Sequence, residues 1–153
     1  MNRVKLIKKG EITIDELIKK IKQHEKISEC GAIIFFIGVT RGIGHNGAVV
    51  KKIEYQADEE LAVKSLQDIR ERILKKYPDV RDLFIYHVID TLNVGEDILY
   101  VIAISGHREE GFAAIQDAIN ILKEETPIWK KEYTEKGKYW VSEKGLYPSY
   151  SNE

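Results

Sequence analysis

Apolar residues recur along this chain in two patterns, one of helical period and one of short continuous or alternating runs, and each pattern predicts elements. Ile14, Leu17, Ile18 and Ile21 fall three to four residues apart with lysines between them, which is one face of a helix. Thr13 and Glu16 stand in capping-box positions ahead of it, so a first helix is expected over 14–26. Behind Asp58, a suitable N-cap, Leu61, Leu66, Ile69 and Ile73 mark a second helix that Tyr77-Pro78 stops near Lys76. Phe112, Ile115, Ile119 and Leu122 mark a third, from about Glu109 to Glu124, ended by Pro127.

The β-type runs lie between these helices. Gly31-Ala-Ile-Ile-Phe-Phe-Ile-Gly38 is bounded by glycines and suits a strand buried on both faces. Further strands are expected over Val49–Tyr55, Leu83–Ile89 and Ile98–Ser105, the last two as a hairpin or near neighbours across Asn93-Val-Gly-Glu96. A final hairpin pairs Ile128–Tyr133 with Lys138–Ser142. Gly42-Ile-Gly-His-Asn-Gly47 is expected to be a flexible or unusually shaped loop. Residues 145–153 are expected to be a flexible tail. The order α, β, β, α, β, β, α, β, β lacks regular βαβ alternation, so the expected fold class is α+β, with a mixed, largely antiparallel sheet and three helices. Without a repeat or a linker, all 153 residues are assigned to one domain.

Composition narrows the function classes. With 43% hydrophobic and 32% charged residues and three prolines, the chain is neither a disordered tail nor a fibrous repeat. Lys and Arg number 24 against 25 Asp and Glu, so nothing suggests a surface built for nucleic acid or acidic lipid, and any anion site must be local. The longest apolar run, Gly31–Val39, is about half of the ~20 residues that span a bilayer, and residues 1–9 lack a signal peptide's apolar stretch. Neither a membrane segment nor export is expected. Cys30 stands alone, which suits a reducing cytoplasm, and the four histidines fall in four different elements without ligand spacing, so no metal site is expected. Phosphate-loop and dinucleotide signatures are absent.

Four places carry candidate chemistry. His107-Arg108 sits where a strand gives way to a helix, so free N–H groups and the helix dipole favour an anion there; Arg108 equally suits a surface pair with Glu109 or Glu110. In Pro127-Ile-Trp-Lys-Lys-Glu132, strand alternation puts Lys130 and Glu132 on one face and Trp129 and Lys131 on the other. A lysine held beside apolar surface and other cations can work as an acid, base or nucleophile, whereas a lysine pair on an edge strand can equally be a guard against aggregation. Lys123 lies in the last turn of the third helix, where the dipole favours any lysine. Arg41 leaves a buried strand after Gly38-Val-Thr, where the backbone of Val39 and Thr40 and the guanidinium can face an anion, or where Arg41 is an ordinary loop arginine.

These pieces occur in a familiar order, from Gly31–Arg41 through Ile53-Glu-Tyr55, Asn93-Val-Gly-Glu96, Ser105-Gly-His-Arg108, Leu122-Lys123 and Pro127–Glu132 to Trp140-Val141. Over roughly residues 10–142 the chain resembles the family of large, catalytic subunits of molybdopterin synthase. The resemblance implies a hammerhead-like α/β fold and a sulfurtransferase of molybdenum-cofactor biosynthesis. Such an enzyme converts cyclic pyranopterin monophosphate to molybdopterin with two sulfurs from the thiocarboxylated C-terminal glycine of a small ubiquitin-like subunit. It implies no cofactor of the chain's own. By position, Lys123 and Lys130 match the family's catalytic lysines, and with them Val39, Thr40, Arg41, His107, Arg108, Lys131 and Glu132 match residues that bind the pterin and its phosphate. His107 and Lys123 are 16 residues apart, about 24 Å along a helix, so a single site using both needs a second copy. A homodimer within a heterotetramer is therefore expected. The chain departs from the family at Gly42-Ile-Gly-His45, which leaves His45 outside the expected site, and at His87-Val, which makes His87 a sheet histidine. Lys144 aligns only poorly with a basic residue of the family's tail. The rival reading is a noncatalytic module that docks a ubiquitin-like protein.

Overall fold

Alternation along the strand Val80–Val88 organises the molecule: Leu83 and Ile85 point to one side, Phe84, Tyr86 and Val88 to the other, and all five are buried. The computed structural model describes residues 1–142 and 145–149. In chain order the elements are β1 (Val4–Ile7), α1 (Ile14–Lys22), β2 (Ala32–Val39), β3 (Val50–Ala57), α2 (Glu59–Lys76), β4 (Val80–Val88), β5 (Thr91–Asn93), β6 (Asp97–Ser105), α3 (Arg108–Glu125), β7 (Ile128–Thr134), β8 (Gly137–Ser142) and β9 (Gly145–Pro148). Among the described residues the strands form two sheets, ordered β1-β4-β6-β2 and β5-β3-β7-β8-β9, and only the β1–β4 pair is parallel. The α+β class with three helices and mostly antiparallel pairing stands, with the strands divided between two sheets.

The first sheet is the middle layer. Helices α2 and α3 cover one face, where Leu66, Ile69 and Ile73 of α2 and Ala114, Ala118 and Leu122 of α3 bury Leu83, Ile85, Val101 and Ala103. On the other face, Leu17 and Ile21 of α1 join Ile53, Tyr55 and Leu92 from the second sheet against Phe84, Tyr86, Tyr100 and Ile102. Both capping predictions hold: Thr13 and Glu16 complete a capping box, and the Asp58 side chain accepts from Leu61 N–H.

Three strands depart from the sequence reading, and all depend on distant partners. β1 is four residues long and pairs with β4; β5 is three residues long and leaves the β4–β6 neighbourhood to pair with β3. Residues 145–148, expected as tail, pair with β8 as β9, with Trp140 opposite Tyr147 and Val141 opposite Leu146. Helix α1 also ends at Lys22, before the expected 26, where the chain turns His24 toward Asp82. The loop 42–48 is a built turn: Gly44 N–H donates to Ala48 O, Val50 N–H to Gly42 O, and Gly47 takes φ +77°. Lys144 and residues 150–153 lie outside the described residues.

Candidate active site

Strand β7 carries the centre of the site. Its Lys130 and Glu132 stand opposite Tyr55 and Ile53 of β3, on the sheet face that packs toward the core. Glu132 is 2% exposed, and its Oε2 lies 3.9 Å from Lys130 Nζ. Helix α3 ends at Glu125 and Pro127 leads directly into β7, a reversal that carries Lys123 back beside Lys130. Arg41 reaches the same place from the end of β2, just beyond the register shift between Gly38 and Val39.

Arg41 and Lys123 thus stand near enough to Lys130 for their charges to act on it, and Lys130 in turn faces the buried Glu132 carboxylate. Burial chiefly, and then the charges of Arg41 and Lys123, pull the Lys130 pKa below its ordinary value, against the opposing pull of Glu132. Burial and the Glu132 charge push the Tyr55 phenol upward, so Tyr55 stays neutral beneath the site. A half-buried amine that loses its proton more readily than a surface lysine, with a second lysine and an arginine near it, can exchange protons with a bound ligand while basic neighbours stabilise developing negative charge.

The remaining expected residues are placed less uniformly. Val39 is exposed at the strand end. Thr40 is buried; its N–H donates to Glu96 O and its carbonyl accepts from Gly95 N–H, so only its hydroxyl, unpartnered among the described residues, is left to face the site. Lys131 is on the opposite face of β7 from Lys130, buried, with its ammonium 5.2 Å from the Trp140 ring and 5.4 Å from that of Tyr133. Within one chain it is not brought to Lys130.

His107 and Arg108 stand at the other end of α3, which runs unbroken from Arg108 to Glu125 and separates them from Lys123 by about 24 Å. Asp79 Oδ2 accepts from both His107 N–H (2.7 Å) and His107 Nδ1 (3.1 Å). Burial opposes these bonds, yet they hold the Asp79 carboxyl below its usual range. Arg108 is exposed and 3.8 Å from Glu109. His87 is a buried sheet residue, as its sequence context suggests.

One residue outside the expected set joins the centre. His45 Nδ1 lies 3.2 Å from Glu132 Oε2, because the turn of loop 42–48 folds back over the carboxylate. A Cβ on Gly44 would come within 2.9 Å of Glu132 Oε1, so a side chain there would push on the carboxylate. The signal in the sequence was the glycine spacing itself, which specifies a tight turn but not what the turn covers.

The same arrangement of elements is found in known proteins. The family profile described as MoaE protein matches residues 7–125. A molybdopterin synthase catalytic subunit from Pyrococcus abyssi is 35% identical over 92% of this chain and 91% of its own length, and one from Bacillus subtilis is 34% identical over 95% and 89%. The crystal structure of molybdopterin synthase from Staphylococcus aureus superposes with a TM-score of 0.80 at 28% identity, covering 93% of this chain and 98% of that one. With its fold and these relatives in agreement, this chain belongs to the MoaE protein family, that of the molybdopterin synthase catalytic subunits.

Proposed function

We propose that this chain is the catalytic subunit of a molybdopterin synthase, converting cyclic pyranopterin monophosphate to the dithiolene molybdopterin. Sulfur arrives as the C-terminal thiocarboxylate of a small ubiquitin-like partner. The observation that carries this reading is the half-buried Lys130 amine 3.9 Å from the buried Glu132 carboxylate, with Arg41 and Lys123 near enough for their charges to act on that amine. The two lysines exchange protons as thiocarboxylate sulfur attacks the pterin, and Arg41 holds negative charge on substrate or intermediate. A cytoplasmic location suits this chemistry, and no helix among the described residues is long and apolar enough to cross a membrane.

His107 and Arg108 enter the same site only from a second copy, since α3 holds them far from Lys123 in their own chain. The edge strand β2 supports such pairing: Ile37 and Val39 on it, and Phe112 on the adjacent α3, are exposed large hydrophobics. With one small subunit on each copy the assembly is a heterotetramer. Thr40, Lys131 and Glu132 complete the set assigned to substrate, Lys131 from the far face of β7.

A single-turnover assay with cyclic pyranopterin monophosphate and thiocarboxylated small subunit tests the proposal. Dithiolene product is expected from the native chain, with a loss of about 100-fold or more in folded, partner-binding Lys123→Ala or Lys130→Ala. Partner binding without product from the native chain would instead establish the docking-module reading.

A further inference from the structure

Glu132 is more elaborately held than a simple lysine counter-ion requires. Its Oε2 faces two groups at once, His45 Nδ1 at 3.2 Å and Lys130 Nζ at 3.9 Å. The first distance is a hydrogen bond in which His45 Nδ1–H donates; the second is an ion pair short of direct contact. Glu132 Oε1 is buried and has no hydrogen-bond partner among the described residues, and it lies 2.9 Å from where a Cβ on Gly44 would stand. The carboxylate is therefore oriented from the loop side, and it does not close on the lysine. His45 itself is partly exposed, with 42% of its side chain accessible, so its presence is not explained by core packing.

We propose that His45 is a positioning residue, which by binding Glu132 Oε2 holds the carboxylate back from Lys130 and keeps that amine available for proton exchange. The idea rests on the role assigned to Lys130 above. Four other groups face Lys130 or its carboxylate: Arg41 from the end of β2, Lys123 from α3, Glu132 on β7 itself and Tyr55 from β3. Of these only Glu132 favours the charged amine, so whatever fixes its distance governs how readily Lys130 gives up a proton. Without the His45 N–H, Glu132 is free to turn from the loop and complete its ion pair. The Lys130 titration then moves upward.

The direct test needs no synthase activity. Lysines of the folded chain are labelled by reductive 13C-methylation, the Lys130 signal is identified by its loss in Lys130→Arg, and its titration is followed by NMR. The Lys130 midpoint should rise by about one pH unit in His45→Ala. It should return toward the native value in His45→Asn, whose side-chain N–H lies where Nδ1 does. An unmoved midpoint in folded His45→Ala, or one that His45→Asn fails to restore, overturns the proposal. In the assembled enzyme, His45→Ala should lower kcat about 10-fold with the KM for the thiocarboxylated partner within about twofold, and shift the Lys130-dependent limb of the pH profile upward. A raised KM with kcat unchanged would make His45 a substrate contact and sink the positioning role. If the NMR shift is seen but no variant, native included, forms product, the synthase reading fails while this inference stands.

Discussion

The buried histidine of β4 makes a sharp thermodynamic prediction. His87 is 4% exposed, its Nδ1–H donates to the Val88 carbonyl at 2.9 Å, and the Tyr55 ring meets it edge-on with centroids 5.1 Å apart. Burial depresses its pKa from 6.5 to about 4, so it is neutral in the folded chain near pH 7. The unfolded chain takes up the proton near the ordinary value. A group depressed on folding contributes stability above its unfolded pKa and loses it as pH falls toward the folded one. The whole loss, over about 2.5 pH units at about 1.4 kcal/mol each, is about 3.5 kcal/mol, of which about 2 kcal/mol falls between pH 7 and pH 5. Urea unfolding of the native chain and His87→Leu at pH 7, 6 and 5 measures it. The variant will carry its own offset, because Val88 O loses a donor; the quantity of interest is the difference in pH slope. Histidines 24, 45 and 107 are common to both proteins and cancel. Equal slopes would mean that His87 is hydrated or relocates on protonation, and the burial argument would be refuted.

Two further outcomes follow from the packing. Asp82, 3% exposed, accepts from Arg70 (2.6 Å), His24 (2.7 Å), Leu83 N–H (2.8 Å) and Arg3 (3.0 Å); Asp82→Ala should cost about 3 kcal/mol, or about 6–12 °C in Tm by calorimetry. A loss under about 1 kcal/mol would show that the three side chains simply turn to water. Gly106→Ala would drive a Cβ into the Asp79 carboxylate that holds the His107 backbone and ring, so a loss of about 1–3 kcal/mol is expected on thermal melting. An unchanged Tm would mean that Asp79 moves freely.

The helices were legible because their information is local. Thr13 with Glu16, Asp58, and the apolar spacing through Leu122 place caps and faces within a few residues of one another, and the folded chain respects them. The face of β7 was legible for the same reason: alternation puts Lys130 with Glu132 and sends Lys131 the other way, whatever the strand packs against. Strands β1, β5 and β9 were not. Each has four residues or fewer, too little for a pattern of its own, and exists because a strand elsewhere offers a free edge.

By itself, then, the sequence determined the three helices, the longer strands, the α+β class and which side chains share a face of β7, since period and capping act over a single turn or a pair of residues. Tertiary structure decided the division into two sheets, the approach of Arg41 and Lys123 to Lys130, and the arrival of Lys130 and His45 beside the Glu132 carboxylate. Those approaches join positions up to 89 residues apart, as from Arg41 to Lys130, and no local pattern encodes a distance set by how two sheets and a helix pack. The shift in Lys130 belongs to the same class, because burial and neighbouring charge exist only once the chain has closed around it.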